Sequence, residues 1–224
     1  MAVGGQRDEE GAAAGADWTR DDIAALGDRA LDLLRRGELD EAMVLLKQGE
    51  VASRDRGDRH GLQRSRGNQA AVLQARGDLD GAMSLHEEEE LICREIGDLE
   101  GLQGSIGNQA LVLQARGDLS GSTALLKEQE QLCRQLDDLA GLQRSLNNQA
   151  AISLRVGDLD GAMVLLEEQE RVCRAIGEAE GLDRFEPEVA SLSMAAACLR
   201  RASLHFWRPP LITALVLAAK CPRS

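Results

Sequence analysis

Three asparagines stand 40 residues apart, Asn68, Asn108 and Asn148, and each is followed by a glutamine, Gln69, Gln109 and Gln149. A carboxamide offers one acceptor oxygen and two donor hydrogens. A peptide group displays the same two functions, so a row of such side chains can read a polypeptide backbone without reading its side chains. Asparagine is a poor residue for a helix interior, because its side chain competes for backbone hydrogen bonds. Two readings of the recurrence stand: a ladder that grips an extended peptide, or side chains that cap and bridge neighbouring turns.

Other chemistry is sparse. His60 (read as a loop residue), His86 and His205 share no ligand spacing with a recurring Ser, Cys or Asp, so neither a nucleophile–base pair nor a metal set is expected. The glutamates at 87–90 occupy every helical angle, unlike a metal site. The glycines of GLQGSIGNQ follow no strand, as a nucleotide loop would require. Cys93, Cys133 and Cys173 recur at intervals of 40 and read as fillers of a buried helix face. The expectation is a protein without catalytic residues, metal or cofactor.

The formal net charge of −12 argues against nucleic acid and anionic membrane surfaces as partners. The charge is sorted. Stretches 61–76, 101–116 and 141–156 contain Arg64, Arg66, Arg76, Arg116, Arg144 and Arg155 and no acid. The stretches that follow carry Glu87 to Glu90, then Glu128 and Glu130, then Glu167, Glu168 and Glu170, read as a solvated outer face. An acidic chain would thus present a neutral-to-basic face beside the asparagines. Arg64 and Arg144 join the three asparagines and three glutamines as candidate peptide-binding residues. The ligand expected is an extended acidic or neutral segment of a partner protein.

What positions these residues is a repeat. Segments 61–100, 101–140 and 141–180 align without a gap, the first two sharing 24 of 40 positions, and a weaker copy occupies 21–60. A period of this length means stacked supersecondary units that cannot bury their apolar faces alone. Within a copy, Ala70 and Leu73 lie on an apolar stripe that predicts a helix over 62–76. Gly77 ends it and Asp78 caps the next, which runs through Ala82, Met83, His86, Ile92 and Cys93 to Gly97. His86 stands where later copies have Leu126 and Leu166. Aromatic content of 2% also favours helices over a large sheet core.

The run Ala70, Leu73, Gly77-Asp78, Ala82 and its copies, Ala110, Leu113, Gly117-Asp118, Ser122 and Ala150, Gly157-Asp158, Ala162, resembles the tetratricopeptide repeat (TPR). The spacing is similar to the lengthened repeats of kinesin light chains, Pins-type polarity adaptors and many bacterial repeat proteins. The likeness covers about 21–182. It implies an all-α, right-handed solenoid of TPR-type helix hairpins, with the first helices lining a concave groove. It also implies an asparagine ladder at 68, 108 and 148, as in several relatives. Glu89, Gln129 and Gln169 depart from the family's usual Ala, and no Pro closes the second helix. The chaperone-tail clamp of other relatives is not expected. Gly67, Gly107 and Asn147 hold its Lys position and Ala71, Leu111 and Ala151 its second Asn position, and Arg64 and Arg144 alone do not complete it.

At the ends, residues 1–20 read as an acidic disordered segment, with Trp18 as a staple onto the first helix. A fifth unit starts at Gly181-Leu182 and breaks off at Phe185. Residues 183–224 hold all four prolines, and 188–206 suits a capping helix; an alternative or frame-shifted terminus is the competing reading. Trp207 and the run 211–217 make self-association through this tail an expectation. No signal or membrane span is expected, and a cytoplasmic setting follows. The function expected is a peptide-binding adaptor, with a structural or oligomerising module, or a truncated form of a longer repeat protein, as the alternative.

Overall fold

Helix boundaries follow a 20-residue rhythm of Gly-Asp. The computed structural model describes residues 18–180, which form eight helices and no strand. They are α1 (Arg20–Arg36), α2 (Leu39–Asp55), α3 (Arg59–Ala75), α4 (Leu79–Ile96), α5 (Leu99–Arg116), α6 (Leu119–Gln135), α7 (Leu139–Val156) and α8 (Leu159–Glu180). Six of the seven turns between them turn on a glycine with φ between 65° and 86°, Gly77 among them at 82°. A Cβ is costly there, because the left-handed region suits glycine. The seventh turn uses Asp137 instead, at φ 53°.

After five of these seven turn residues an aspartate starts the next helix; after Gly37 stands Glu38, whose side chain makes no capping bond. Asp58, Asp78, Asp118, Asp138 and Asp158 each accept from the backbone N–H three residues on, at 2.8–3.2 Å. That donor is always a glycine, and a Cβ on Gly81 would land within 3 Å of the Asp78 carboxylate. Because Asp58 caps it, α3 begins at Arg59, three residues before the expected start at 62. His60 consequently lies in a helix and not in a loop.

The described helices fall into two compact units, α1–α4 and α5–α8. In the first, α2 packs between α1 and α3, α4 packs on α3, and α1 touches α3. The second repeats the plan: α6 packs between α5 and α7, α8 packs on α7, and α5 touches α7. The first helices of successive repeats therefore lie beside each other within a unit.

Small residues occupy the crossings. Ala30 and Ala42, Ala70 and Ala82, Ala110 and Ser122, and Ala150 and Ala162 are all at most 1% exposed. Ser122 shows that the two positions touch, since its Oγ donates to the Ala110 carbonyl at 2.8 Å. Around these crossings lie Leu46 and Val72 in one unit, and Leu126, Leu146, Ile152 and Cys133 in the other. Each buried aliphatic side chain contributes about 1.5–3 kcal/mol. The fold class expected from the repeat, an all-α array of stacked hairpins, is the one observed. No helix among the described residues is long and apolar enough to cross a membrane. Of the segment 1–20 expected to be disordered, Thr19 caps α1 and Arg20 begins it, while residues 1–17 lie outside the described residues, as do the tail 183–224, the expected capping helix 188–206 and His205.

Candidate functional site

Each first helix buries one side and exposes the other. On α3 the exposed or half-buried residues His60, Arg64, Asn68, Ala71 and Ala75 recur at helical spacing, while Gln63, Ser65, Gln69, Ala70 and Val72 are buried. On α5 the outer stripe runs through Gly104, Asn108 and Leu111, and on α7 through Arg144, Asn148 and Ala151. Adjacent residues on a helix differ by about 100° in direction, so the Asn-Gln pairs divide.

The glutamines face inward, 4%, 5% and 5% exposed at 69, 109 and 149. Gln69 Nε2 donates to Glu50 of α2 at 2.7 Å, and Gln149 Nε2 donates to Glu130 of α6 at 2.7 Å. These bonds tie α3 to α2 and α7 to α6, the second helix of the preceding repeat in each unit. Gln109 also has a bonding partner. Gln69 and Gln149 thus serve packing between repeats.

The asparagines face outward. Asn68 and Asn148 are half-buried and Asn108 is exposed. None of the three side chains makes a hydrogen bond among the described residues, to backbone or to side chain. The capping and bridging that would explain an asparagine in mid-helix is absent. Asn68 Nδ2 lies 3.8 Å from where a Cβ would stand on Gly27, at the seam between α1 and α3.

The arginines divide in the same way. Arg66 is one-fifth exposed and bonds Glu50 of α2 at 3.1 Å and Glu88 of α4 at 3.2 Å. Arg76 pairs with Asp40. The acid-free stretch 61–76 therefore supplies two cations, Arg66 and Arg76, that join α3 to α2 of the preceding repeat, a role composition alone did not distinguish. Arg64 and Arg144 are exposed and paired with no carboxylate among the described residues. Each stands one turn before an asparagine.

The glutamates of the second helices are not all on the outer face. Glu87, Glu88 and Glu128 are exposed, but Glu89 is 6% exposed, and the Glu50, Glu130 and Glu170 side chains are 12%, 21% and 13% exposed. Four successive acids on a helix must send some inward, and the inward ones are held by polar partners. Glu89 accepts from Gln63 at 3.1 Å and lies 3.0 Å from Nδ1 of the buried His86. A Cβ on Gly67 would collide with the Glu89 carboxylate, and one on Gly107 with the Gln129 amide. In these two repeats a long polar residue on the second helix fills the space that glycine vacates on the first.

Beside the Arg64 stripe, at the N-terminal ends of α1 and α3, a cavity of about 350 Å³ is lined by Arg20, Asp58, His60, Gln63, Arg64 and Asp98. Arg20 lies 3.9 Å from Asp58, and His60 Nδ1 4.0 Å from Asp98. The cysteines Cys93, Cys133 and Cys173 are buried, and none is in a disulfide among the described residues. Burial first, then the Glu89 and Asp98 carboxylates, pushes the Cys93 thiol up to about 12. Burial and Asp138 push Cys133 up to about 11. Neutral thiols are poor nucleophiles and poor ligands, and no group of His, Cys, Asp and Glu among the described residues is arranged to hold a metal.

No family model and no curated protein matches the sequence. Solved structures do match. The nearly identical TPR-like repeats of a protein assigned as a kinesin light chain from Podosopora anserina give a TM-score of 0.64 at 20% identity, over 88% of this chain and 94% of that one. A variant of those repeats gives 0.64 at 19% identity with the same coverage. BtubC (BKLC) from P. vanneervenii gives 0.59 at 18% identity, over 85% of this chain and 83% of that one. At these identities the likeness is one of fold. The chain is an array of tetratricopeptide-like helix hairpins of the kind seen in those kinesin light chain structures.

Proposed function

We propose that the protein is a non-catalytic adaptor that holds an extended, acidic or neutral segment of a partner protein along the outer stripe of its first helices. One observation carries the reading: the side chain of the asparagine recurring in mid-helix at 68, 108 and 148 makes no hydrogen bond among the described residues, while beside it Gln69 and Gln149 are bonded to Glu50 and Glu130. A side chain costly to a helix and idle in the fold is explained by a ligand. Its amide supplies the donor and acceptor that an extended backbone needs. Arg64 and Arg144, in no ion pair among the described residues and one turn away, set the preference for acidic or neutral segments. Ala71, Leu111 and Ala151, one turn to the other side and half-buried, offer small apolar contacts. A reducing, cytoplasmic setting belongs to the same proposal and rests on the three cysteines, none in a disulfide among the described residues.

The test is the triple variant Asn68→Ala, Asn108→Ala, Asn148→Ala, titrated with fluorescein-labelled acidic, neutral and basic nonapeptides. A net value of about 1 kcal/mol for each lost ladder contact gives an affinity loss of about 100-fold for the three together. The variant should melt no lower than the native chain. Tighter binding of the basic peptides, or unchanged affinity in the triple variant, would overturn the reading.

A further inference from the structure

The 40-residue register extends the asparagine row one place further, to Asp28 of α1. Asp28 is exposed and pairs with no cation among the described residues. The nearby charges are engaged elsewhere or directed elsewhere: Asp32, one turn on, bonds Arg35 at 2.5 Å, and Arg29 is a helical step away. Arg64 on the neighbouring α3 is in no ion pair among the described residues either, so the two opposite charges do not pair with each other. The seam between them is close, since Asn68 Nδ2 lies against Gly27.

A carboxylate at a ladder position changes the chemistry. It accepts hydrogen bonds and donates none, so it cannot satisfy both halves of a peptide group as an asparagine does. It suits a cationic side chain. Adjacent packed helices lie about 8–10 Å apart, and Arg64 stands four residues, or about 6 Å, along α3 from Asn68. Asp28 and Arg64 are then about 11 Å apart, which three or four residues of an extended chain span at about 3.3 Å each.

We propose that Asp28 is a specificity-determining residue of the peptide-binding face. It selects ligands with a Lys or Arg three or four residues from an Asp or Glu, the base against Asp28 and the acid against Arg64. The proposal rests on the peptide-binding reading of the first helices and adds a charge motif to it.

The experiment is selection of a phage-displayed random dodecapeptide library on the native chain and on the Asp28→Asn and Arg64→Ser variants. Circular dichroism establishes that each variant is folded; both positions are exposed, so both should be. Native-chain binders should be enriched in a base and an acid three or four residues apart. The base should lose its enrichment with Asp28→Asn, and the acid with Arg64→Ser. For one selected peptide, replacing its base by Gln should weaken binding to the native chain by about 3- to 5-fold, as an exposed ion pair does, and leave binding to Asp28→Asn unchanged. A base that persists on Asp28→Asn, or is absent from native binders, overturns the role of Asp28 and leaves the groove reading standing. Absence of any enrichment on the native chain overturns the groove reading, and this inference with it.

Discussion

Alanine replacements at Asn148 and Gln149 should have opposite effects on stability, although the two residues are neighbours on one helix. Gln149 is 5% exposed and its amide donates to the Glu130 carboxylate at 2.7 Å. Hydrogen bonds to charged groups are worth about 1.5–3 kcal/mol, and the gain in helix propensity returns a few tenths. Gln149→Ala should therefore cost about 2 kcal/mol. For an ordered region of this size that lowers the melting temperature by about 4–8 °C. Asn148 is half-buried with no hydrogen bond to lose among the described residues, and alanine is the better helix former by about 0.6 kcal/mol. Asn148→Ala should leave melting unchanged or raise it by about 1–2 °C. Far-UV circular dichroism melts of the two variants, with urea unfolding alongside, provide the comparison. Equal destabilisation by both would refute the division into an inward structural glutamine and an outward ligand asparagine.

The turn at Asp137 is strained relative to its glycine counterparts, so Asp137→Gly should raise stability by about 0.5–1 kcal/mol; a lower melting temperature would count against this. The mirror change, Gly77→Ala at φ 82°, should cost about 1–2 kcal/mol by the same assay. Cys93 and Cys133 should resist an aromatic disulfide reagent at about pH 8 in the folded protein and react once it is unfolded in urea. Their thiol pKa values are raised on folding, so the unfolded chain ionises first. Stability should hold below the ordinary thiol value and decline as pH rises from about 9 towards 11, which urea midpoints measured across that range would show. Rapid labelling of the native thiols would contradict the burial of these helix faces.

The repeat made most of the fold legible because its signals are local and one-dimensional. Gly77 in the left-handed region, Asp78 as a helix cap, and Ala70 against Ala82 at the crossing all follow from residue type and spacing. His86 on the core side followed from its register with Leu126 and Leu166. The start of α3 was missed by three residues because the cap at Asp58 precedes the apolar stripe that predicted it. The division of the candidate site was less visible. An Asn-Gln pair reads as two equivalent amides until the helix is packed, and only then does one face a carboxylate and the other solvent. The offset of 19 residues that links Glu50 to Gln69 and Glu130 to Gln149 was present in the sequence and would have pointed to the packing role. The charges behaved alike: Arg64 and Arg66 differ by two residues, so one looks outward and the other is half-buried between Glu50 and Glu88. Asp28 was legible in register, but only against the weakest of the four copies.

The most direct test of the binding face is a nuclear magnetic resonance titration of the protein with its best acidic or neutral peptide, following side-chain amide signals. The side-chain NH₂ resonances of Asn68, Asn108 and Asn148 should shift together with saturation, while those of Gln69, Gln109 and Gln149, buried between helices, should stay where they are. Asparagine signals that remain still while the peptide binds and shifts appear elsewhere would contradict the account.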